Sequence, residues 1–246
     1  QYVTSIDGSR QGILAIRDNY LLTTRGWRPM AIIDISNPLS PEKVNEYSDH
    51  LRGGDFVNDT LYIVRAGGPS LGNELKICDV SNLPNITEIG NYSLPSDYSA
   101  YDVKVKDNYA YVGIQSIGVK VLDVSDPANI TEVTTFVNGT TVNSMEIIGD
   151  YLYMRDFNYL ITADISDPTN PIVTDKRKHE GFAILGNYLY PSFSTHGNYL
   201  VSGGTKLVMW DISTYPAHPT LAHLCELAAD MPGSIMCVNF SGEYLY

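Results

Sequence analysis

The 246 residues are 43% apolar and 18% charged, the composition of a folded, core-forming chain, which excludes disorder over most of the length. Sixteen Lys and Arg stand against 28 Asp and Glu, giving a net charge of −12 that repels phosphate backbones and anionic membrane surfaces, so nucleic acid is not an expected partner. No apolar run approaches the ~20 residues needed to cross a bilayer, so no membrane span is expected in this segment.

The chain opens at Gln1 rather than at a methionine and reads as a processed product or an excerpt. Its first unit has the turn and strand DNYLL at Tyr20, then IIDIS around Asp34 and Pro38. The second repeats this as NDTLYI at Thr60, ICDVS around Asp79 and Pro84; the third as DNYAYV at Tyr109, VLDVS around Asp123 and Pro127. The fourth has GDYLYM at Tyr151, TADIS around Asp164 and Pro168, and the fifth ends in MWDIS around Asp211 and Pro216. In the fifth, GNYLY at Tyr188 and GNYLV at Tyr199 compete for the second-strand position, and Tyr199 keeps the period. The five aspartates are spaced by 45, 44, 41 and 47 residues, so one unit is copied five times.

Between these anchors apolar residues alternate, as in YDVKVKDN, which is strand patterning. Each unit reads as four strands: one ending in an Asn/Asp turn, a Tyr-rich one, one ending at the repeated Asp, and a more polar one such as TEVTTFV after the proline. Asn-Asp, Gly-Asp and Gly-Asn turns supply the positive φ that tight hairpins require. A segment TLAHLCELAAD, Thr220 to Asp230, is the one helical signal and is expected as a short helix replacing an outer strand.

Four antiparallel strands in a repeat of about 44 residues predict an all-β fold, a β-propeller, because one such sheet buries its faces only against neighbouring blades. Tandem sandwiches need about 100 residues per domain, and solenoid coils about 20 to 30. The expected organisation is one domain over 1–246: five full repeats anchored at Asp34, Asp79, Asp123, Asp164 and Asp211, plus a partial sixth blade shared by 1–19 and 232–246. Aligning Tyr20 with Tyr151 sets Gln1 to Ile6 opposite Glu132 to Val137 as an outer strand, while SIMCVNFSGE and YLY begin the sixth unit, whose third strand is missing. Six blades is the expectation.

Each repeated Asp ends an apolar strand before Ser and a proline-containing turn, so its carboxylate is expected to accept turn N–H groups, with Ca²⁺ ligation the minority reading. The phrases YLYM, YAYVGIQSIGVKVLDVSDPANITEV and ITADISDPTNPIV resemble the LVIVD-repeat family of exported and cell-surface proteins. The resemblance covers essentially all the chain and implies a propeller and a surface location, with no catalytic residues to transfer. RAGGPSLGNE in repeat two and the doubled GNYL in repeat five depart from the pattern.

Catalytic, cofactor and metal sites are not expected. Gly68-Pro69-Ser70-Leu71-Gly72 fits G-x-S-x-G, but it precedes strand LKICDVS instead of opening a helix. His218, His223 and Cys225 complete no zinc spacing. Paired glycosidase carboxylates cannot be picked out among 28 acids. Cys78 reads as a buried thiol, while Cys225 and Cys237 either bridge, as an exported protein permits, or stay free. The tyrosines read as inter-blade packing, a carbohydrate-stacking platform being the alternative.

Asn-X-Ser/Thr sequons occur at Asn58, Asn85, Asn91, Asn129, Asn138 and Asn239, against about 2.5 expected by chance from the Asn and Ser/Thr content. They predict a glycosylated, extracellular or cell-surface protein. The expected function is therefore a non-catalytic structural or interaction subunit of a surface, matrix or fibre, self-associating or binding other surface proteins or glycans. A carbohydrate- or ligand-binding propeller module is the alternative, and a propeller hydrolase or lyase the less favoured one.

Overall fold

The structure is a computed structural model, and it describes residues 12–24, 29–47, 51–66, 72–156, 158–178, 193–196, 199–202, 206–211, 220–226, 240–241 and 244–245. Every regular element among them is a strand. Sheet one comprises β1 (Gly12–Arg17), β2 (Tyr20–Thr24), β3 (Met30–Asp34) and β4 (Glu42–Tyr47); sheet two comprises β5 (Leu51–Val57), β6 (Thr60–Ala66), β7 (Asn73–Asp79) and β8 (Thr87–Leu94). Sheet three holds β9 (Ala100–Lys106), β10 (Tyr109–Ile114), β11 (Gly118–Asp123) and β12 (Thr131–Phe136), and sheet four β13 (Ser144–Ile148), β14 (Tyr151–Arg155), β15 (Tyr159–Asp164) and β16 (Ile172–Lys178). Sheet five is β17 (Phe193–His196), β18 (Tyr199–Ser202), β19 (Lys206–Asp211) and β20 (Thr220–Glu226); a hairpin of β21 (Phe240–Ser241) and β22 (Tyr244–Leu245) follows. Each four-stranded sheet uses consecutive strands in chain order, the propeller-type repeat that the period predicts.

The first hairpin of each unit closes on two residues. Asp18, Asn58, Asp107 and Gly149 take φ of 50°, 55°, 48° and 59° there, values that Asn, Asp and Gly tolerate best. The next pairing is set by the same turn: Tyr20 faces Asp34, Thr60 faces Asp79, Tyr151 faces Asp164 and Tyr199 faces Asp211. Tyr199 is thus the second-strand tyrosine of repeat five; Tyr188 lies outside the described residues.

Two expectations are corrected. Gly12–Arg17 pairs with Tyr20–Thr24 in sheet one, so the N-terminal share of a sixth blade cannot reach residue 19. The reason is local: Asp18-Asn19 is the same hairpin turn as Asp107-Asn108, and what precedes it must be the first strand of its own unit. Residues 1–11 lie outside the description. The helix expected from Thr220 is instead the strand Thr220–Glu226, paired with β19, because cross-strand pairing overrides the propensity of a short Leu/Ala/Glu segment.

Middle strands are buried on both faces: β10, β11, β14 and β15 expose at most one terminal residue in part. Fourth strands are largely exposed. Leu22 and Met30 of sheet one pack with Leu51, Leu61, Ile63 and Cys78 of sheet two, so neither sheet carries a core of its own. Cys78 is the buried free thiol the sequence predicts. Contacts divide the chain into two compact units where one domain was expected, Gln1–Ile114 with Lys120–Glu132, and Gln115–Val119 with Val133–Tyr246. No helix among the described residues is long and apolar enough to cross a membrane.

Candidate functional site

The repeated polar phrase resolves into one turn built four times. Asp34, Asp79, Asp123 and Asp164 each accept, through Oδ1, the N–H of the serine two residues on, at 2.7, 2.8, 2.9 and 2.9 Å. In three of the turns a second side chain repeats the motif: Asn37, Asp126 and Asp167 accept from Leu39, Ala128 and Thr169 at 3.1, 3.0 and 2.9 Å. A backbone bond ties the turn back to the first hairpin, from Ile35 to Asn19, Val80 to Asp59, Val124 to Asn108 and Ile165 to Asp150.

These bonds stabilise the ionised form. Backbone and hydroxyl bonds from Ser36 and Ser81 hold Asp34 and Asp79 below the ordinary carboxylate range; the Ser125 hydroxyl and N–H do the same for Asp123. Thr169 lowers Asp167 likewise. The repeated Asp is structural, as its place before the Ser and proline turn implies. Among the described residues no group of three or more His, Cys, Asp or Glu is placed to hold a metal ion.

The turn also reaches the preceding sheet. Asn45 on β4 donates Nδ2–H to the Pro84 carbonyl at 2.8 Å, and Gly90, its counterpart on β8, lies so close to the Pro127 carbonyl that a Cβ would collide with it. A second link is repeated near it. Tyr47 donates its hydroxyl to Glu88, 3.3 Å away, and Glu88 pairs with Lys76 at 2.9 Å; Tyr92, Glu132 and Lys120 repeat this at 3.4 and 2.5 Å. Burial opposes the charge on Glu88, but the bonds from Lys76 and Asn91 prevail and its pKa is lowered. Where the next tyrosine position is Phe136, the Lys and Glu positions of sheet four are Ile161 and Val173, so the three polar groups are absent together. Single-residue motifs do not reveal this; the spacing of 41 and 40 residues between Tyr and Glu does.

The first strands of sheets two and three meet in the other polar cluster. Gly53 approaches Tyr101 and Asp102 so closely that a Cβ would lie 2.6 Å from the Tyr101 carbonyl oxygen. Beside it the Arg52 guanidinium sits 5.0 Å from the centre of the Tyr101 ring, a cation–π arrangement. Asp55 accepts the Val105 N–H at 2.7 Å. Asn73 pins the segment leading into β9 by donating to the carbonyls of Pro95 and Tyr98, at 2.7 and 2.6 Å, which positions the exposed Tyr98. None of these residues carries a sequence motif. On sheet four Arg155 is 1% exposed; burial lowers its guanidinium pKa to about 8, the Asp156 charge opposing, and it stays cationic at neutral pH.

The sequon asparagines Asn58, Asn85, Asn91, Asn129 and Asn138 are all exposed, and Asn239 lies outside the described residues. Asn85 and Asn129 occupy the same turn position, donating N–H to Asn82 and Asp126 at 2.9 Å each. Asn91 differs, because its Nδ2 donates to Glu88 at 3.0 Å. Cys225 and His223 stand on β20 opposite Leu207 and Met209; Cys237 and His218 lie outside the description. Gly68 to Leu71 also lie outside it, between strands that pair Ala66 with Asn73, so the G-x-S-x-G match joins two strands of one sheet.

A model of the LVIVD repeat matches residues 8–49, 70–93, 99–137 and 139–177, together more than half of the chain. No curated protein matches it. Among solved structures, a protein from Lactobacillus plantarum is 11% identical with a TM-score of 0.70, over 89% of this chain and 70% of that one. A functionally unknown protein from Desulfotomaculum acetoxidans DSM 771 is 12% identical, with a TM-score of 0.67 over 88% and 70%. The computationally designed Ika8 protein is 11% identical, with a TM-score of 0.57 over 98% and 94%. At such identities the likeness shows the fold alone, and this fold hosts unrelated functions.

Proposed function

The chain belongs to the LVIVD repeat family, and from that premise we propose that it is a non-catalytic, exported protein, a glycosylated structural or interaction subunit of a cell surface, matrix or fibre. The observation that carries this reading is the exposure of Asn85 and Asn129 at one repeated turn position, with three further sequon asparagines also exposed. The repeated carboxylates support it from the other side, since their hydrogen bonds are spent on holding turns. Glycopeptide mass spectrometry of native material, together with electron microscopy of it, tests the reading. Occupied Asn85 and Asn129 in a polymeric assembly are expected, and bare asparagines in a monomer would overturn it.

A second reading, a carbohydrate-binding module, is favoured by one arrangement: Tyr98 is 41% exposed and Tyr101, nearby in sequence, carries the Arg52 guanidinium on its ring. Stacked aromatic and cationic groups suit a sugar ring bearing acidic substituents.

A further inference from the structure

The outer strands of the sheets differ in charge. β4 carries Glu42, Lys43 and Glu46, β8 carries Glu88 and β12 carries Glu132, each a net −1. On β16 the single acid Asp175 faces three bases, Lys176, Arg177 and Lys178. Among the outer strands whose side chains are described, it is the one cationic strand, in a chain of net charge −12. Large apolar side chains accompany the charge, Ile172 at 57% and Val173 at 44% exposure.

Internal pairing removes part of this charge but not all of it. Lys43 pairs with Glu46 at 2.7 Å and Arg177 pairs with Asp175. Glu42 on β4 and Lys178 on β16 have no ion partner among the described residues, and Lys176 is held 4.6 Å over the Tyr159 ring with its charge outward. The same β4 region presents apolar surface, Val44 at 41% and Leu39 at 72% exposure. One outer strand is thus cationic and apolar, and another is acidic and apolar.

We propose that the outer surface of β16 docks a second copy of this chain, receiving the acidic and apolar outer surface of that copy's β4. The inference rests on the self-associating reading given above and names its contact. Opposed patches of this kind attract at short range even between molecules of like net charge, because charges more than about 10 Å apart are screened at ordinary ionic strength. The contact is made by side chains rather than by extending a sheet. Both strands shift register midway, between Ile32 and Ile33 opposite β4 and between Thr162 and Ala163 opposite β16, and such bulges break the ladder a neighbouring strand would need. The two surfaces differ, so each copy offers one of each, and the contact repeats head to tail.

Charge exchange tests this in analytical ultracentrifugation of the whole chain. Lys176→Glu with Lys178→Glu, and separately Glu42→Lys with Glu46→Lys, should each weaken self-association about tenfold with melting unchanged, since every substituted side chain is at the surface. Mixing the two variants should restore association between them. If both associate as strongly as the unsubstituted chain, the surface is wrong while self-association stands. If the unsubstituted chain is monomeric at every concentration, the surface and the self-associating reading fall together. A variant that misfolds leaves the other to decide, because each attacks the same contact from its own side.

Discussion

Asp55 on the first strand of sheet two accepts, through Oδ2 and at 2.7 Å, the backbone N–H of Val105 on the first strand of sheet three. A first strand pairs only with the second strand of its own sheet, so its other edge leaves N–H groups without a ladder partner. Asp55 supplies one such group with an acceptor from the neighbouring sheet, and its Oδ1 meanwhile takes the Phe56 N–H at 3.0 Å. One carboxylate therefore joins two sheets through backbone. Replacing it by Ala should cost about 1–2 kcal/mol, lowering Tm by several degrees, while Asp55→Asn, which keeps an acceptor oxygen, should recover part of the loss. Thermal denaturation followed by circular dichroism reads both.

Gly53 sits beside that contact and is constrained by space. A Cβ there would lie 2.6 Å from the Tyr101 carbonyl oxygen and 2.7 Å from the Asp102 Cα, atoms of a strand that cannot turn aside. Gly53→Ala should destabilise by about 1–3 kcal/mol, as overpacking does. Gly139 gives the contrast: its surroundings are open within 4 Å and its φ is +79°, so Gly139→Ala should cost about 1 kcal/mol through backbone conformation alone. Equal losses at the two sites in a urea titration would refute the account of Gly53.

The repeat, the hairpin turns and the role of the aspartates were legible because each is local: a turn residue, an alternation and a proline lie within one unit. What links the sheets was not. Asp55 and Val105 are 50 residues apart and carry no shared motif, and Tyr47 meets Glu88 only because one unit is packed on the next. Segment Thr220–Glu226 misled for a related reason, its Leu, Ala and Glu favouring helix until β19 offered pairing. The sequons were plain as triplets, but only the fold separates Asn91, whose amide is engaged, from Asn85 and Asn129.

Acid should weaken the fold in a way set by the turn carboxylates. Asp34, Asp79, Asp123, Asp167 and Glu88 all have pKa values lowered by the hydrogen bonds they accept. A group whose folded pKa lies below its unfolded one contributes stability that is present above the unfolded value, about 4, and lost as pH falls through the folded value. Stability should accordingly be flat near neutrality and decline below about pH 4. Asp123→Asn keeps the acceptor for the Ser125 N–H but cannot titrate, so its decline should be shallower. A melting series from neutral to acid pH with parallel curves for Asp123→Asn and the unsubstituted chain would count against these turns as the source.

Removing the Tyr47 hydroxyl should be felt at Glu88. Tyr47→Phe keeps the ring that Lys76 approaches to 6.0 Å but deletes the donor 3.3 Å from the carboxylate. Sheet four shows how the chain itself accommodates such a loss, since Phe136 is accompanied there by apolar residues in place of Lys and Glu. In Tyr47→Phe alone, Glu88 and Lys76 remain and still pair at 2.9 Å, so the cost should be small, about 0.5–1 kcal/mol. Tyr47→Phe with Lys76→Ile is the harsher change, because Glu88 then keeps its charge without its cation. The double variant should lose more than the two single losses added, which a double-mutant cycle on urea midpoints would register.

Glycan occupancy should follow the hydrogen bonding of each asparagine. The nitrogen that takes the sugar is Nδ2, and on Asn91 it donates to Glu88 Oε1 at 3.0 Å, on an outer strand where Glu88 is also held by Lys76. Asn85 and Asn129 use their backbone N–H to close the turn and leave an exposed side chain outside it. For a transferase acting on the folded chain, Asn85 and Asn129 should be occupied together and Asn91 less than either. Glu88→Ala should raise Asn91 occupancy toward that of Asn85, since it frees the amide without altering the sequon. Site-resolved glycopeptide mass spectrometry decides this: equal occupancy at all three sites, unchanged by Glu88→Ala, would mean that the sugar is attached before the fold forms.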